Sequence, residues 1–393
     1  MSVFAAVVTG KGTGAISTIK VFGDGAETVV AAIFEPENAK TTNMKPPRVL
    51  LGTITKNTEV IDQVVIGCEA PGDIAINCHG NPLIVADIMQ LLAEHGAELL
   101  SADDLTKKVL SAKGNATIAI EAKLAQVSAA TLEGTKILAA QIESGLSKTA
   151  HQWLDNINNT GLEQIKAAAA DIIRNSRTAR LIIEGCTAVI AGPPNSGKST
   201  LLNCLCGRQK AIVTDIKGTT RDWLSATCRI GPLLVELIDT AGLDKSSADD
   251  SPDELDTLSQ QRALELLERA DMVLVVLDAS EPYDPLDPVM LDRISNKRLL
   301  TVLNKSDLPA QLDPESLPEM LSNRIHLSAK LGTGIEQLIA KIPQICGVTD
   351  FELAGAVCFT ARQHALLEQL QKAHSKRHAT SIITQLLNAR IDV

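Results

Sequence analysis

The chain has 393 residues, 45% of them hydrophobic and 21% charged, a composition typical of globular proteins that excludes a disordered tail or a collagen-like fibre. Its 37 basic and 47 acidic side chains give a formal net charge of −10, so no overall positive field attracts nucleic acid. We therefore expect any contact with RNA to be local. At about 150 residues per domain, this length predicts two or three domains.

The cysteine and apolar patterns predict neither a zinc protein nor a membrane-spanning protein. The eight cysteines include no C-x-x-C pair, which predicts reduced, mostly buried thiols and no zinc site. No run approaches the roughly 18 apolar residues that a membrane-spanning helix needs, and no basic segment precedes the first apolar residues. We expect a cytoplasmic protein with no membrane partner.

Residues 1–100 are expected to form an α+β domain. Short β-rich runs alternate with turns that contain Gly or Pro, and a Pro suited to a first helical turn opens one amphipathic segment, Pro82–His95. The predicted strands are Val3–Val8, Ala15–Phe22, Arg48–Thr55, Val60–Cys68 and Ile74–Cys78.

The predicted secondary structure changes twice in the rest of the chain. Residues 101–184 are rich in strong helix formers and predict the first part of a helical domain, with a capping box at Thr160 and Glu163. Residues 185–346 alternate short β-rich runs with helical segments, as in an α/β domain with a mainly parallel sheet. Residues 347–393 are helical again. The α/β domain is therefore expected to be inserted in an α-helical bundle domain, preceded by the N-terminal α+β domain.

A glycine-rich segment, Gly192–Ser199, fits the P-loop pattern G-x-x-x-x-G-K-[ST] between a predicted strand and a predicted helix. In such a loop the backbone amides face phosphates at a helix N-terminus, the lysine binds the β and γ phosphates, and the serine hydroxyl binds Mg²⁺. A strand-to-helix turn without a ligand is the alternative. The residues expected to bind nucleotide here are Asn195, Ser196, Gly197, Lys198, Ser199 and Thr200.

Two further segments are expected near the phosphates. Asp239 ends an apolar strand run, where an acid can hold Mg²⁺ through water, and the Gly242 amide can then meet the γ-phosphate. Between this segment and the P-loop, Gly218–Asp222 offers the Thr220 hydroxyl, which we assign to sensing the γ-phosphate and completing the Mg²⁺ shell. A capped loop is the alternative for this segment.

The last two segments predict guanine recognition. In Asn304-Lys305-Ser306-Asp307, the Asp307 carboxylate can accept N1–H and the exocyclic N2–H₂ of guanine, donors that adenine lacks at these positions. Ser328-Ala329-Lys330 can offer a backbone amide to guanine O6. The P-loop, the Asp239 segment and these two segments, in this order along the chain, favour GTP over ATP and disfavour an ATP-driven kinase or ATPase. Leu243 stands where many GTPases hold a water-orienting Gln, so hydrolysis needs another residue.

Taken together, these segments closely resemble the TrmE or MnmE family of tRNA-modification GTPases, over most of the chain and most strongly over residues 185–345. The residues that carry the resemblance are Ala188–Ser199, Ala211–Ile216, Gly218–Asp222 and Asp239–Leu243, with weaker matches at Gly10–Ile16, Ile61-Asp62, Ala70-Pro71 and Cys78–Gly80.

The resemblance implies a homodimer through the N-terminal domains, a folate one-carbon donor bound there, and GTP hydrolysis driven by potassium-dependent dimerisation of the GTPase domains. It also implies a flavin-containing partner protein and tRNA, whose wobble uridine is modified. Asn195 falls on the family's potassium ligand, and Asp256 falls on the family's water-orienting glutamate.

The chain departs from the family pattern at two places, which leaves two hypotheses open. It ends Asn388–Val393 where the family has Cys-x-Gly-Lys, and Lys108 stands where the family's folate stretch has an Arg, a planar bidentate donor that Lys does not replace. The first hypothesis is a GTP-hydrolysing enzyme of wobble-uridine modification. The second is a diverged GTPase switch or binding module that has lost folate and uridine chemistry.

Overall fold

The computed structural model describes residues 2–10, 14–37, 44–208, 224–239 and 263–388. By its contacts the chain divides into two compact units, one reaching from the N-terminus to Ile120 and the other running from Glu121 to Leu387. Among the described residues, no helix combines the length and the apolar character needed to cross a membrane.

The N-terminal unit is built on a seven-stranded sheet in the order β3-β4-β5-β6-β2-β1-β7. All neighbours are antiparallel except β1 and β7, which are parallel. The strands are β1 (Val3–Val7), β2 (Ile16–Phe22), β3 (Phe34–Pro36), β4 (Arg48–Lys56), β5 (Glu59–Ala70), β6 (Asp73–His79) and β7 (Ala97–Leu99). The helices are α1 (Ala26–Ala31), α2 (Pro82–Glu94) and α3 (Ala102–Ala112), and α4 (Thr117–Val127) crosses the boundary between the units.

The apolar pattern explains this sheet. Alternate residues of β2 are buried, and Ile19, Val21, Ile66 and Ile76 are almost fully excluded from water in one cluster with Leu92 of α2. The five predicted strands and the helix at Pro82 are confirmed to within two residues, whereas α1, β3 and β7 were not predicted. These three elements are short, and the one to three buried residues in each are too few to form a recognisable pattern.

The second unit begins with a helical part that contains α5 (Leu132–Glu143), α6 (Leu146–Asp155) and α7 (Leu162–Ile183). The expected capping box at Thr160 and Glu163 is wrong. The N-cap of α7 is Gly161, and the side chain of Gln164 accepts a hydrogen bond from the Gly161 amide at 3.3 Å. Because the helix begins one residue later than predicted, Gln164 occupies the third helical position instead of Glu163.

The α/β part holds a six-stranded sheet in the order β13-β12-β11-β8-β10-β9. Five strands are parallel, as predicted, but edge strand β9 pairs antiparallel with β10, so the sheet is mixed. The strands are β8 (Cys186–Ala191), β9 (Leu224–Ile230), β10 (Leu233–Asp239), β11 (Met272–Asp278), β12 (Arg298–Asn304) and β13 (Arg324–His326). The helices are α8 (Lys198–Arg208), the described part of α9 (residues 263–269), α10 (Pro288–Ile294) and α11 (Ile335–Cys346).

Two helices follow the α/β part, α12 (Ala361–Gln371) and α13 (Lys376–Asn388), and polar contacts join this region to the helices that precede the sheet. The buried side chain of Gln141 in α5 donates to Gly355 O at 3.0 Å and accepts from the Val357 amide at 3.0 Å. Arg362 in α12 donates through two nitrogens to the Glu121 carboxylate, each at 2.7 Å. Two segments far apart in sequence are therefore bonded to each other.

Candidate nucleotide-binding site

The P-loop lies at the carboxyl end of β8, where α/β sheets bind ligands. The strand is apolar and buried on both faces between β10 and β11, and α8 begins at Lys198 directly after the loop. Three loop residues have positive φ: Gly192 at 146°, Asn195 at 61° and Gly197 at 95°. Asn is among the residues that tolerate this left-handed conformation, so the sequence allows the sharp reversals that the loop makes.

Both glycines of the loop pack against neighbouring strands. A Cβ atom on Gly192 would lie 2.1 Å from the carbonyl oxygen of Val276, and one on Gly197 would lie 2.2 Å from Nδ2 of Asn304. Neither space admits a side chain. The glycines therefore let the loop sit directly on β11 and β12.

Lys198 lies across the loop. Its side chain is 4% exposed, and Nζ donates to the carbonyl oxygens of Gly192 and Pro193, each at 2.9 Å. Those carbonyls are neutral acceptors, and a phosphate oxygen is a stronger acceptor for an ammonium group. The amine is thus already placed over the loop in which its predicted phosphates would bind.

Ser199 and Asp239 meet where β8 and β10 run side by side. The Ser199 hydroxyl donates to Oδ2 of Asp239 at 2.5 Å, and Asp239 is 1% exposed. A hydroxyl and a carboxylate are oxygen donors of the kind that Mg²⁺ prefers, directly or through water. The two predicted magnesium-site residues present in this part of the chain therefore fit a hard divalent cation.

Asn304 connects three of the predicted segments. Its side chain is 2% exposed, Nδ2 donates to Ser196 O at 2.8 Å, and Oδ1 accepts from the Ala329 amide at 2.9 Å. The P-loop, the end of β12 and the segment after β13 are thus held together by one amide group.

Two carboxyl groups, one in the base-recognition segment and one at the end of β11 beside it, have lowered pKa values. The Ser328 hydroxyl donates to Asp307 and is the main cause that lowers the pKa of Asp307, with Lys330 and Lys305 contributing. Asp278 lies 2.5 Å from Nζ of Lys305 and accepts from both the amide and the hydroxyl of Ser280. Burial opposes ionisation of Asp278, but these hydrogen bonds outweigh it and lower its pKa.

Asp278 was not predicted from the sequence. It is the residue of β11 directly opposite Asn304 of β12, so its carboxylate reaches the next residue, Lys305, whose φ is 60°. The available signal was the one used for Asp239, an acid at the end of an apolar strand run. Applied to Met272–Asp278, it would have found this residue.

The predicted site residues differ in where they lie. A network of contacts joins the P-loop to Asp239, Asn304, Lys305, Asp307 and the Ser328 segment. The side chains of Asn195, Thr200 and Lys330 are exposed. Thr220, Gly242 and Asp256 lie outside the described residues.

Comparison with known proteins identifies the family. A family model described as 50S ribosome-binding GTPase matches residues 187–305, and one described as GTP-binding protein TrmE N-terminus matches residues 3–112. The tRNA modification GTPase MnmE of Thermotoga maritima is 32% identical over 372 residues, which span 86% of this chain and 81% of that protein. MnmE of Streptococcus thermophilus is 30% identical over 386 residues, which span 90% of this chain and 81% of that protein.

Among solved structures, Era of Aquifex aeolicus bound to GDP and aluminium fluoride is 25% identical and covers 46% of this chain and 64% of that chain. Its TM-score is 0.31.

The P-loop, the acid that ends β10 and the two base-recognition segments define a GTP-binding protein that hydrolyses GTP with Mg²⁺. The chain belongs to the MnmE family. The resemblance found in the sequence is thereby confirmed.

Proposed function

We propose that this protein couples GTP binding and hydrolysis to modification of the wobble uridine of tRNA. The observation that carries the GTPase part is the Asn304 amide, which ties the P-loop to both base-recognition segments through Ser196 and Ala329. The tRNA part is supported by relatives whose names describe tRNA modification.

In the proposed site, this chain's residues have distinct tasks. Lys198 exchanges its two carbonyl acceptors for the β and γ phosphates, and the backbone amides that open α8 donate to the same oxygens. Asp307 and the Ala329 amide recognise guanine. Ser199 and Asp239, with Thr220, would hold Mg²⁺, which neutralises the charge that develops on the phosphates.

We further propose how water is activated without a Gln at position 243. Asp256 orients the attacking water, and Asn195 would hold K⁺, which supplies positive charge beside the phosphates. Support for Asn195 is its position: the residue is exposed at the turn of the P-loop, with φ of 61°. An exposed side-chain oxygen at this turn is accessible to an ion.

The domain arrangement is also a proposal. The GTPase domain, residues 185–346, is inserted in a helical domain made of residues 101–184 and 347–393, and residues 1–100 form the N-terminal domain. The Gln141 and Glu121 contacts to the segment after residue 347 support one continuous helical domain, because they join its two parts.

The proposed partners follow from the family. They are a second copy of this chain, a flavin-containing protein and tRNA, with hydrolysis stimulated as the GTPase domains dimerise. The proposal does not include a folate one-carbon donor. Lys108 holds its ammonium 4.4 Å from the centre of the Phe4 ring, a cation–π contact, and offers no planar bidentate donor to a ligand carboxylate.

Two measurements test the proposal. GTP turnover is compared in potassium and matched sodium buffer, with oligomeric state read in the presence of GDP and aluminium fluoride. Faster turnover and dimerisation in potassium are expected, and binding without either would contradict the potassium mechanism. Nucleoside analysis of tRNA from a deletion strain tests the second half: an unchanged wobble uridine would leave a GTP-dependent binding module.

A further inference from the structure

A concentration of basic side chains lies at the turn between α12 and α13, and we call it the basic turn. All of its members are exposed, and they are Lys372, His374, Lys376, Arg377 and His378. Residues 369–388 contain no Asp or Glu, in a chain whose formal net charge is −10. The local charge of the basic turn is therefore opposite in sign to that of the whole protein.

Within the described part of the chain, no carboxylate neutralises the basic turn. The ion pairs of this region join Arg362 to Glu121 and His364 to Glu368, the second at 3.8 Å, and none of the five side chains takes part in one. The cations therefore face solvent without a counter-charge from the described residues.

The position of three of these side chains on α13 is unfavourable for cations. Lys376, Arg377 and His378 are the first residues of that helix, and its first turn contains no acid. The N-terminus of a helix carries positive partial charge, which repels a cation and attracts an anion. Residues that break such a local rule without compensation inside the protein are characteristic of functional surfaces.

The basic turn is held in place by its neighbours. Ala373 and Ala379, on either side of its centre, are fully buried, and Nζ of Lys376 donates to Asn158 O at 2.8 Å. The loop that contains Asn158, residues 156–160, has no charged side chain, and the amides of Asn156 and Asn159 are exposed there. Neutral hydrogen-bonding groups thus lie beside the cations, as at surfaces that contact phosphates and sugars.

We propose that the basic turn binds the phosphate backbone of RNA. Lys372 and Arg377 pair with phosphate oxygens, Arg377 through two parallel N–H donors, and the ring N–H groups of His374 and His378 donate to neighbouring oxygens. The choice of RNA among polyanions rests on the proposed function, in which tRNA is the substrate. Backbone contacts carry no base information, so this surface positions the tRNA and does not select its sequence.

Fluorescence anisotropy of a labelled tRNA transcript, titrated with the nucleotide-free full chain at several potassium chloride concentrations, tests the surface. The variant is Lys372→Gln with Arg377→Gln, which keeps Lys376 and its bond to Asn158. We expect affinity about tenfold weaker at low salt, and a slope of log K against log salt smaller by about 1.5 to 2, because two phosphate contacts are lost. The matched control, Lys136→Gln with Arg269→Gln, removes an exposed Lys and an exposed Arg of the same unit and should keep the wild-type affinity and slope.

GTP turnover distinguishes failure of this inference from failure of the proposed function, because neither double variant alters the nucleotide site and both should hydrolyse GTP at the wild-type rate. Wild-type tRNA affinity in the Lys372/Arg377 variant would overturn the proposal, as would equal weakening in the control, which would mean diffuse attraction. A loss confined to the Lys372/Arg377 variant supports the surface even when the wobble uridine of a deletion strain is unchanged. Binding to phosphatidylserine vesicles without binding to tRNA would also overturn it, in favour of a membrane surface. Thermal unfolding confirms that each variant folds.

Discussion

Two regions of the molecule bury charged side chains in opposite ways. In the N-terminal unit, Asp73 is 1% exposed and forms ion pairs with Lys20 at 2.5 Å and Lys113 at 3.0 Å. At the P-loop, Lys198 is 4% exposed, and the acceptors of its two loop bonds are the neutral carbonyls of Gly192 and Pro193. The Asp73 cluster joins opposite charges, whereas the two loop acceptors of Lys198 are uncharged.

This difference separates a structural cluster from a binding site. Removing Asp73 would leave Lys20 with Glu69 as its remaining carboxylate partner and Lys113 facing solvent, so the pairs with Asp73 contribute to the stability of the sheet. Exchanging a carbonyl for a phosphate strengthens the bond of Lys198, so its present contacts favour replacement by a ligand. Burial of a charge therefore does not distinguish the two regions, whereas the kind of acceptor in these particular contacts does.

The largest expected effect is that of replacing Lys198, the buried charge at the P-loop. Lys198→Ala removes the ammonium that faces the phosphates, and we expect GTP hydrolysis to fall by about 100- to 1,000-fold. Phosphate release measured at saturating GTP gives the rate. Lys136→Ala, at an exposed position of α5, is the control and should retain wild-type turnover. Near-normal hydrolysis in the Lys198 variant would mean that its loop contacts are structural, like those of Asp73.

The next effect concerns base recognition. Asp307→Asn replaces an acceptor-only carboxylate with an amide that presents an N–H₂ group to guanine, so we expect GTP binding to weaken about 100-fold. Xanthine carries a carbonyl oxygen where guanine carries its amino group. The variant should therefore bind xanthosine triphosphate more tightly than the wild type does, as measured by competition with a fluorescent nucleotide. Unchanged GTP affinity would remove Asp307 from the base site.

The nucleotide motifs and most strands of the first sheet were predictable from the sequence because each depends on local order. Gly192–Ser199 determines its own loop conformation, and alternating apolar residues determine the strands of the first sheet. Non-local geometry was not predictable. The contact of Asp278 with Lys305 depends on the register between β11 and β12, and the antiparallel edge strand β9 depends on a hairpin with β10.

The ion pairs of Asp73 were likewise not predictable from the sequence, because they join residues far apart in the chain. Nothing local to Asp73 indicates a partner 53 residues earlier on β2 or one 40 residues later, at the end of α3. Only the pairing of β2 with β6 and the position of α3 on that sheet bring the three charges together. Sequence patterns therefore predicted site residues that lie within one loop, and missed residues whose contacts arise from packing between elements.

For the ion pairs of Asp73 in the N-terminal unit, we expect a substitution to lower stability while GTP hydrolysis is retained. Asp73→Asn leaves the ammonium groups of Lys20 and Lys113 without their shared counter-charge, and we expect a loss of about 2–3 kcal/mol in the stability of this sheet. Amide hydrogen exchange of β2 and β6 in the full chain measures it locally. Glu98→Gln, at an exposed position of β7, is the matched control and should exchange like the wild type.

The pH dependence of that exchange sharpens the test. Burial opposes ionisation of Asp73, but the bonds from Lys20 and Lys113 outweigh it and lower the pKa of its carboxyl. The stabilisation is therefore fully present above the unfolded-state pKa of about 4 and is lost as pH falls through the lower folded-state pKa. Protection of β2 and β6 should decline below about pH 4 in the wild type, and more weakly in Asp73→Asn. Parallel declines would assign the acid sensitivity to other groups.

The smallest effect concerns a pair that combines features of both regions. Asp278 and Lys305 are charge-paired like the Asp73 cluster, yet they lie at the base-recognition segment, and Lys305 is one-third exposed. Solvent screens such a pair, so Asp278→Asn should cost little stability and weaken GTP binding only about two- to fivefold, by loosening Lys305. Asp284→Asn, which lacks a described ion pair, controls for the loss of one negative charge. A large fall in stability with unchanged affinity would place Asp278 with Asp73, as a structural carboxylate, and would show that the kind of partner alone does not identify the residues of this site.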